Sequence, residues 1–343
     1  MHLAKSLLVS AMLAFATQAF AAEAPGLIER QIDAPHHSRS MPMAIWYPAT
    51  EGTTEMFAAN AIFQGGEVRR GAPLPDGKHP VVLLSHGMGG SYLSLNWLAS
   101  GLAARGAIVV AVNHPNGWFK DRDKVKLFNH WTRVQDLQAA LDYVLADKDL
   151  AQSIDPDRIY VTGFSFGGWT ALSMGGATQD ATGSYDYCKN AGERAQGCSD
   201  LKHWGYDPAK VDLAKWTASW KDARIKAVAA LDPGLTWNMK PENVQGLDQR
   251  HLLVIGLGNT SERHYATDTT AAGSKFDKLV PLARIEVVSP ATHFTGMPLC
   301  TDKGAAILAE EKDDPVCTDP PGADRKAVHE KIISLIAEQF QLN

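Results

Sequence analysis

Apolar and polar positions along this chain follow two periods. Short, almost wholly apolar runs occur at Pro80-Val81-Val82-Leu83-Leu84, Ala107-Ile108-Val109-Val110-Ala111-Val112 and Ile225-Lys226-Ala227-Val228-Ala229-Ala230-Leu231. Arg158-Ile159-Tyr160-Val161, His251-Leu252-Leu253-Val254-Ile255-Gly256 and Arg284-Ile285-Glu286-Val287-Val288 also read as strands, and the almost wholly apolar runs as the innermost ones. Such runs suit parallel strands buried on both faces. Helical spacing lies between them: Thr132 to Ala146 places Val134, Leu137, Leu141, Val144 and Leu145 on one face. Trp169 to Met174 can begin a helix, and Ala323 to Phe340, after Pro320-Pro321-Gly322, forms a final amphipathic one. Strand alternating with helix predicts an α/β class chain with a doubly wound, mostly parallel sheet. There is no internal repeat and no long low-complexity linker.

Candidate chemistry concentrates at one junction of these elements. Val161-Thr162-Gly163-Phe164-Ser165-Phe166-Gly167-Gly168 reads as a buried strand, a sharp turn with serine at its apex, and an opening helix. This is the G-x-S-x-G pattern of a nucleophilic serine in the strand–turn–helix context the motif requires. Gly163 and Gly167 suit a backbone too tight for side chains. Upstream, Leu84 leads into Ser85-His86-Gly87-Met88-Gly89-Gly90, a turn able to aim a backbone N–H at the same centre. Acyl transfer needs two such donors for the developing oxyanion. The amides of Met88 and Phe166 are the candidates, and His86 is read as a hydrogen-bonded support of its turn.

A serine nucleophile needs a base, and the base needs an orienting carboxylate. In the chain order Ser, acid, His, Asp232 follows the 225–231 run, on the sheet edge where open α/β sheets keep their sites. Glu262, after the next strand, is the weaker candidate, and a turn-initiating Asp-Pro is the structural alternative for Asp232. His293, in the loop Ser289-Pro290-Ala291-Thr292-His293-Phe294, is the candidate base. His36, His37, His114 and His329 have lesser claims. No histidine pair has metal-ligand spacing with neighbouring carboxylates or thiols, so no metal is expected. Acyl transfer by serine requires no cofactor.

Ile45-Trp46-Tyr47-Pro48-Ala49, Leu84-Ser85-His86-Gly87, Gly163 to Gly168, Ala230-Leu231-Asp232 and Thr292-His293-Phe294 occur in a familiar order. In this combination the chain resembles the platelet-activating-factor acetylhydrolase branch of the α/β-hydrolases and its bacterial relatives known as predicted dienelactone hydrolases. The resemblance covers nearly all of the chain beyond its first residues. It implies an α/β-hydrolase fold, a triad of Ser165, Asp232 and His293, and an oxyanion hole at Met88 and Phe166. Dienelactone hydrolases proper use a cysteine nucleophile, so that label carries no substrate to this chain. Phe164 stands where this branch commonly has histidine, a change expected to alter packing more than mechanism.

Composition agrees with a soluble globular enzyme: 343 residues, 45% hydrophobic and 21% charged. Residues 1–21 carry Lys5, an apolar run from Leu7 to Phe15 and Ala19-Phe20-Ala21, the pattern of a cleaved secretory signal. Its removal takes away Lys5 and no acid, turning the net charge of −5 into −6. Modest acidity without basic clusters argues against a nucleic-acid partner. Export would allow disulfides, and the favoured local pairs are Cys188–Cys198 and Cys300–Cys317.

Residues 22–343 are expected to form one domain, with a cap-like insertion at about 176–222. Its Trp204, Trp216 and Trp220, and Trp118 in the loop after Val112, are candidates for a substrate pocket. The bland alternative is that these indoles pack their own segments. Together these features predict an exported, periplasmic or secreted serine hydrolase acting on small-molecule or lipid-like esters. An amidase using the same residues and a silent binding protein of the same fold are the alternatives.

Overall fold

The computed structural model describes residues 23–123, 125–180, 187–188 and 211–343. The chain opens with β1 (Gly26–Ala34), β2 (Arg39–Tyr47), β3 (Thr54–Phe57) and β4 (Gly66–Arg70). β5 (His79–Ser85), helix α1 (Asn96–Ala103) and β6 (Ile108–Val112) follow. A small hairpin, β7 (Gly117–Trp118) and β8 (Asp121–Arg122), precedes helix α2 (His130–Ala146). Then come β9 (Ile154–Phe164), α3 (Phe166–Gly175), α4 (Leu213–Thr217), β10 (Ile225–Leu231), β11 (Leu252–Leu257), β12 (Arg284–Val288) and α5 (Arg325–Gln339).

One ten-stranded sheet runs in the order β12-β11-β10-β9-β5-β6-β2-β1-β4-β3. From β12 to β6 every pairing is parallel, whereas β2 joins β6 and β1 antiparallel. Alternate residues of β5 feed two cores: Val81 and Leu83 face α2 and α3, and Val82 and Leu84 face α1 and α5. Helices on both faces explain why the central strands are apolar without alternation.

The apolar runs mark the central strands well and their ends less well. The 158–161 run extends to Ile154–Phe164, because Asp155-Pro156-Asp157 breaks the pattern while Ile154 still pairs with His79. β1, β3 and β4 carry no apolar run, since this end of the sheet leaves much of its polar surface in solvent, whereas β2 is buried from Met43 to Tyr47. α5 starts two residues after Ala323, where the Asp324 side chain accepts from Ala327 N. Among the described residues, no helix is long and apolar enough to cross a membrane. The expected signal segment, Trp204, Cys198 and most of the 176–222 insertion lie outside the described residues.

Cys300 and Cys317 form a disulfide. Cys188 is also disulfide-bonded, and its expected partner Cys198 lies outside the described residues. The 300–317 excursion is tied to the loop before β4 by Gln64 N to Leu299 O (2.9 Å) and Thr301 N to Ile62 O (2.8 Å). Closing a loop of sequence separation 17 restricts the unfolded chain. Replacing both cysteines by serine is expected to lower the unfolding free energy by about 3 kcal/mol. Urea denaturation of the two proteins checks this, and superimposable transitions would show that the staple contributes nothing.

Candidate active site

The carboxyl ends of β5, β9, β10 and β12 bring the sequence-derived candidates to one edge of the sheet. A Cβ at Gly167 would collide with the carbonyl of Ser85, and one at Gly163 with the carbonyl of Gly167. Only glycine lets the turn after β9 pass so close to β5. Ser165 at the apex has φ 59° and ψ −117°, a conformation that costs a non-glycine residue energy and recurs at functional turns. Its N–H donates to Leu231 O at 2.9 Å, and its carbonyl accepts from Gly234 N at 3.1 Å. The elbow is thus fastened to the loop that carries Asp232.

Asp232 is 2% exposed and its carboxylate is fully engaged. Oδ1 accepts from Leu257 N at 2.9 Å, while Oδ2 accepts from Thr267 Oγ1 at 2.7 Å and from His293 Nδ1 at 2.6 Å. Glu262 instead caps its own turn, accepting from Asn259 N at 3.0 Å and Ser289 Oγ at 3.1 Å. His293 opens a short turn whose Thr292 N donates to Thr295 Oγ1 at 2.9 Å. Its ring lies between two others: Phe164 on one side (centroids 4.6 Å, 26°) and His264 (4.8 Å, 22°). Phe164, next to the serine, therefore positions the imidazole directly. Among the described residues, no hydrogen bond joins the Ser165 hydroxyl to His293, and catalytic hydrogen bonds often form only when substrate is bound.

Across from the elbow, a Cβ on Gly87 would meet the Ser165 Cβ at 3.3 Å. Phe166 opens α3, so its N–H has no partner one turn back. The Met88 N–H also has no backbone partner among the described residues. His86 acts as a support: its Nδ1–H donates to Gly87 O at 2.7 Å and its Nε2 accepts from His114 N at 3.2 Å. Trp118 adjoins this loop through a bridge to Gly89, with Gly89 N donating to Gly117 O at 3.0 Å. Met88 and Phe119 are about half exposed beside it.

Two pocket candidates are placed elsewhere. Trp216, 1% exposed, packs against His130 (4.8 Å) and Trp131 (6.3 Å) of α2, so it has no free face for a substrate. Trp220 leans on the same cluster and donates to Lys215 O at 2.9 Å. These indoles seat the segment before β10 on α2, the packing role that aromatic residues take most often.

Sequence reasoning missed His264, Thr267 and Arg133. Arg133, buried in α2, donates to Ser85 Oγ at 3.2 Å, to the His86 carbonyl and to Thr170 Oγ1 at 3.1 Å. It also lies over the Phe166 ring at 4.8 Å. A charged residue on the apolar stripe of α2 was the available signal. It ties the Ser85–Gly90 loop to the first turn of α3.

No family model matches the chain. It is 29% identical over 145 residues to a cutinase of Thermobifida alba, a match covering 42% of this chain and 43% of that protein. The chain thus spans less than half the length of that curated relative. Among solved structures, a ferulic acid esterase from Streptomyces cinnamoneus superimposes with a TM-score of 0.56 at 16% identity, covering 95% of this chain and 91% of its own. A dienelactone hydrolase from Anabaena variabilis gives 0.50 at 12% identity, over 94% and 100%. The fold is that of the α/β-hydrolases. In that fold the elbow after β9 and the loop after β5 face one another across the sheet edge, as found here.

Burial holds several histidines of this fold neutral. Desolvation is the leading cause for His114, His130, His264 and His329, and pushes each down to about 4. It also takes His86 well below its ordinary value. Unfolded, these side chains titrate near 6.5. Between pH 6.5 and 4 the unfolded chain therefore binds protons that the fold excludes, and stability falls as pH falls through that window. Each such histidine contributes at most about 1.4 kcal/mol per pH unit. The urea midpoint at pH 4.5 is expected well below that at pH 7, and equal midpoints would refute buried neutral imidazoles.

Proposed function

We propose that this protein is an exported serine hydrolase that cleaves carboxylic esters through an acyl-enzyme, within the platelet-activating-factor acetylhydrolase-like branch. The reading rests on one observation above others: the 2.6 Å bond from His293 Nδ1 to Asp232, beside the strained turn of Ser165. The cutinase and ferulic acid esterase likenesses point to the same bond class. Residues 22–343 then form one catalytic domain with a cap-like insertion at 176–222.

In this mechanism Asp232 holds His293 with its proton on Nδ1, leaving Nε2 to take the Ser165 proton. The serine oxygen bonds to the ester carbon, and the carbonyl oxygen becomes an oxyanion held by the N–H groups of Met88 and Phe166. Collapse breaks the bond to the alcohol, which leaves with the proton from His293. Water, deprotonated by the same imidazole, attacks the acyl-enzyme and frees the acid and Ser165. Phe164 and His264 keep the imidazole in one orientation, and an aromatic face stabilises the imidazolium formed in the transition state. Trp118, Phe119 and the exposed Met88 offer apolar surface for the acyl or alcohol chain.

Hydrolysis of p-nitrophenyl esters from acetate to long acyl chains tests the reading. Ser165→Ala is expected to lower kcat on the order of 10⁴-fold or more, and Asp232→Asn about 10⁴-fold. Wild-type inertness toward every ester, with turnover of matched anilides, would assign the site to amides. Inertness toward both substrates and toward a fluorophosphonate probe would leave a binding protein of this fold.

A further inference from the structure

The turn between β1 and β2 brings His36 and His37 onto Asp136 of α2, 100 and 99 residues away in sequence. His36 Nε2 lies 2.7 Å and His37 Nε2 3.0 Å from the same oxygen, Asp136 Oδ1. The three donor-type atoms fall within 4.8 Å of one another. The two imidazoles converge, with centroids 4.4 Å apart and planes tilted by 48°. Asp136 is fully buried, and its other oxygen accepts from His114 Nδ1 at 2.8 Å. In front of the pair opens a cavity of about 500 Å³ lined by Ser38, Asn116, Asn129 and Thr132 and by two cations, Arg39 and Lys126, which pair with Asp121 (2.7 Å) and Asp123 (3.7 Å).

We propose that His36, His37 and Asp136 form a binding site for a divalent transition-metal ion, zinc(II) being the best match. Two imidazoles and one carboxylate are a borderline donor set, which zinc accepts readily, and solvent in the cavity supplies the remaining ligand or ligands. With metal–ligand bonds of about 2.0–2.1 Å, tetrahedral ligands stand about 3.3 Å apart. The contacts of 2.7 and 3.0 Å would open to about that spacing and the two imidazole nitrogens, within 4.8 Å of one another, would come to it as well; His36 sits on a partly exposed turn that can give. The ion replaces the two N–H protons now shared with Oδ1, so the buried oxygen stays satisfied.

The outer shell suits this exchange. His114 fixes the carboxylate, and its Nε2 accepts from Ser85 Oγ at 2.9 Å. Asn116 Nδ2 lies 3.4 Å from His37 Nδ1 while its Oδ1 accepts from Arg39 at 3.0 Å, so turning the amide toward the proton that metal binding places on Nδ1 would exchange one hydrogen bond for another. Ligand spacing in the sequence pointed to no metal, but spacing says nothing about ligands joined by a fold across 100 residues. The ion would pin the β1–β2 turn to α2 and, through His114 and Ser85, brace the loop that carries Met88.

The site is independent of the ester-hydrolase reading, so its test needs no substrate. The untagged protein, stripped with chelator, is titrated with Zn²⁺ by calorimetry, with metal content and thermal unfolding measured alongside. One ion per chain and a raised Tm are expected for the wild type. In His36→Ala/His37→Ala the affinity should fall about 100-fold or more, above the loss typical of outer-shell changes, and the Tm rise should vanish. Far-UV circular dichroism checks that variant's fold, and the single variant His36→Gln, at the exposed edge of the turn, serves if the double one does not fold. Stoichiometric binding that survives these substitutions, or wild-type binding no tighter than the variant's, overturns the proposal.

Discussion

Where the turn bearing Ser165 crosses the end of β5, there is no volume for a β-carbon. Gly167 lies against the carbonyl of Ser85, and Gly163 against that of Gly167. Backbone packed on backbone leaves the path of the chain little freedom. The approach brings the Gly87 backbone up against the Ser165 side chain. It also holds Ser165 at a positive φ, a strain balanced by hydrogen bonds to Leu231 and Gly234. Through those bonds the loop of Asp232 is joined to the same junction. Three segments distant in sequence thus share one fastening.

Two buried carboxylates organise the polar interior around that fastening. Asp232 takes a backbone N–H, a threonine hydroxyl and His293; Asp136 takes His36, His37 and His114. A buried carboxylate survives only when its lone pairs are filled, and imidazole donors fill them in both places. Arg133, one helical turn before Asp136, reaches Ser85, His86 and Thr170. The loop near the serine therefore rests on a charged, hydrogen-bonded base rather than on an apolar one. Such a base fixes position more sharply than apolar contact, because a displaced buried hydrogen bond is left unmade.

The legibility of these features differs for physical reasons. The 225–231 run coincides with β10, and the 80–84 run lies inside β5, since burial on both faces removes polar residues. β1, β3 and β4 were invisible to that signal because this end of the sheet stays partly wet. Trp216 illustrates the opposite failure. Its indole in an insertion suggested a pocket wall, yet it is buried on α2, where an aromatic ring removes more surface from water than at a rim.

Local forces decided what the sequence alone determined: the order of strands and helices, the serine at a glycine-flanked turn, and the candidate acid and base just past strand ends. Hydrophobic periodicity and turn chemistry act over a few residues, so they can be read from neighbours. Which imidazole meets which carboxylate was settled only in three dimensions. His293 joins Asp232 across 61 residues and His36 joins Asp136 across 100. Those partnerships depend on how the sheet edge and α2 pack, and no spacing along the chain encodes that geometry.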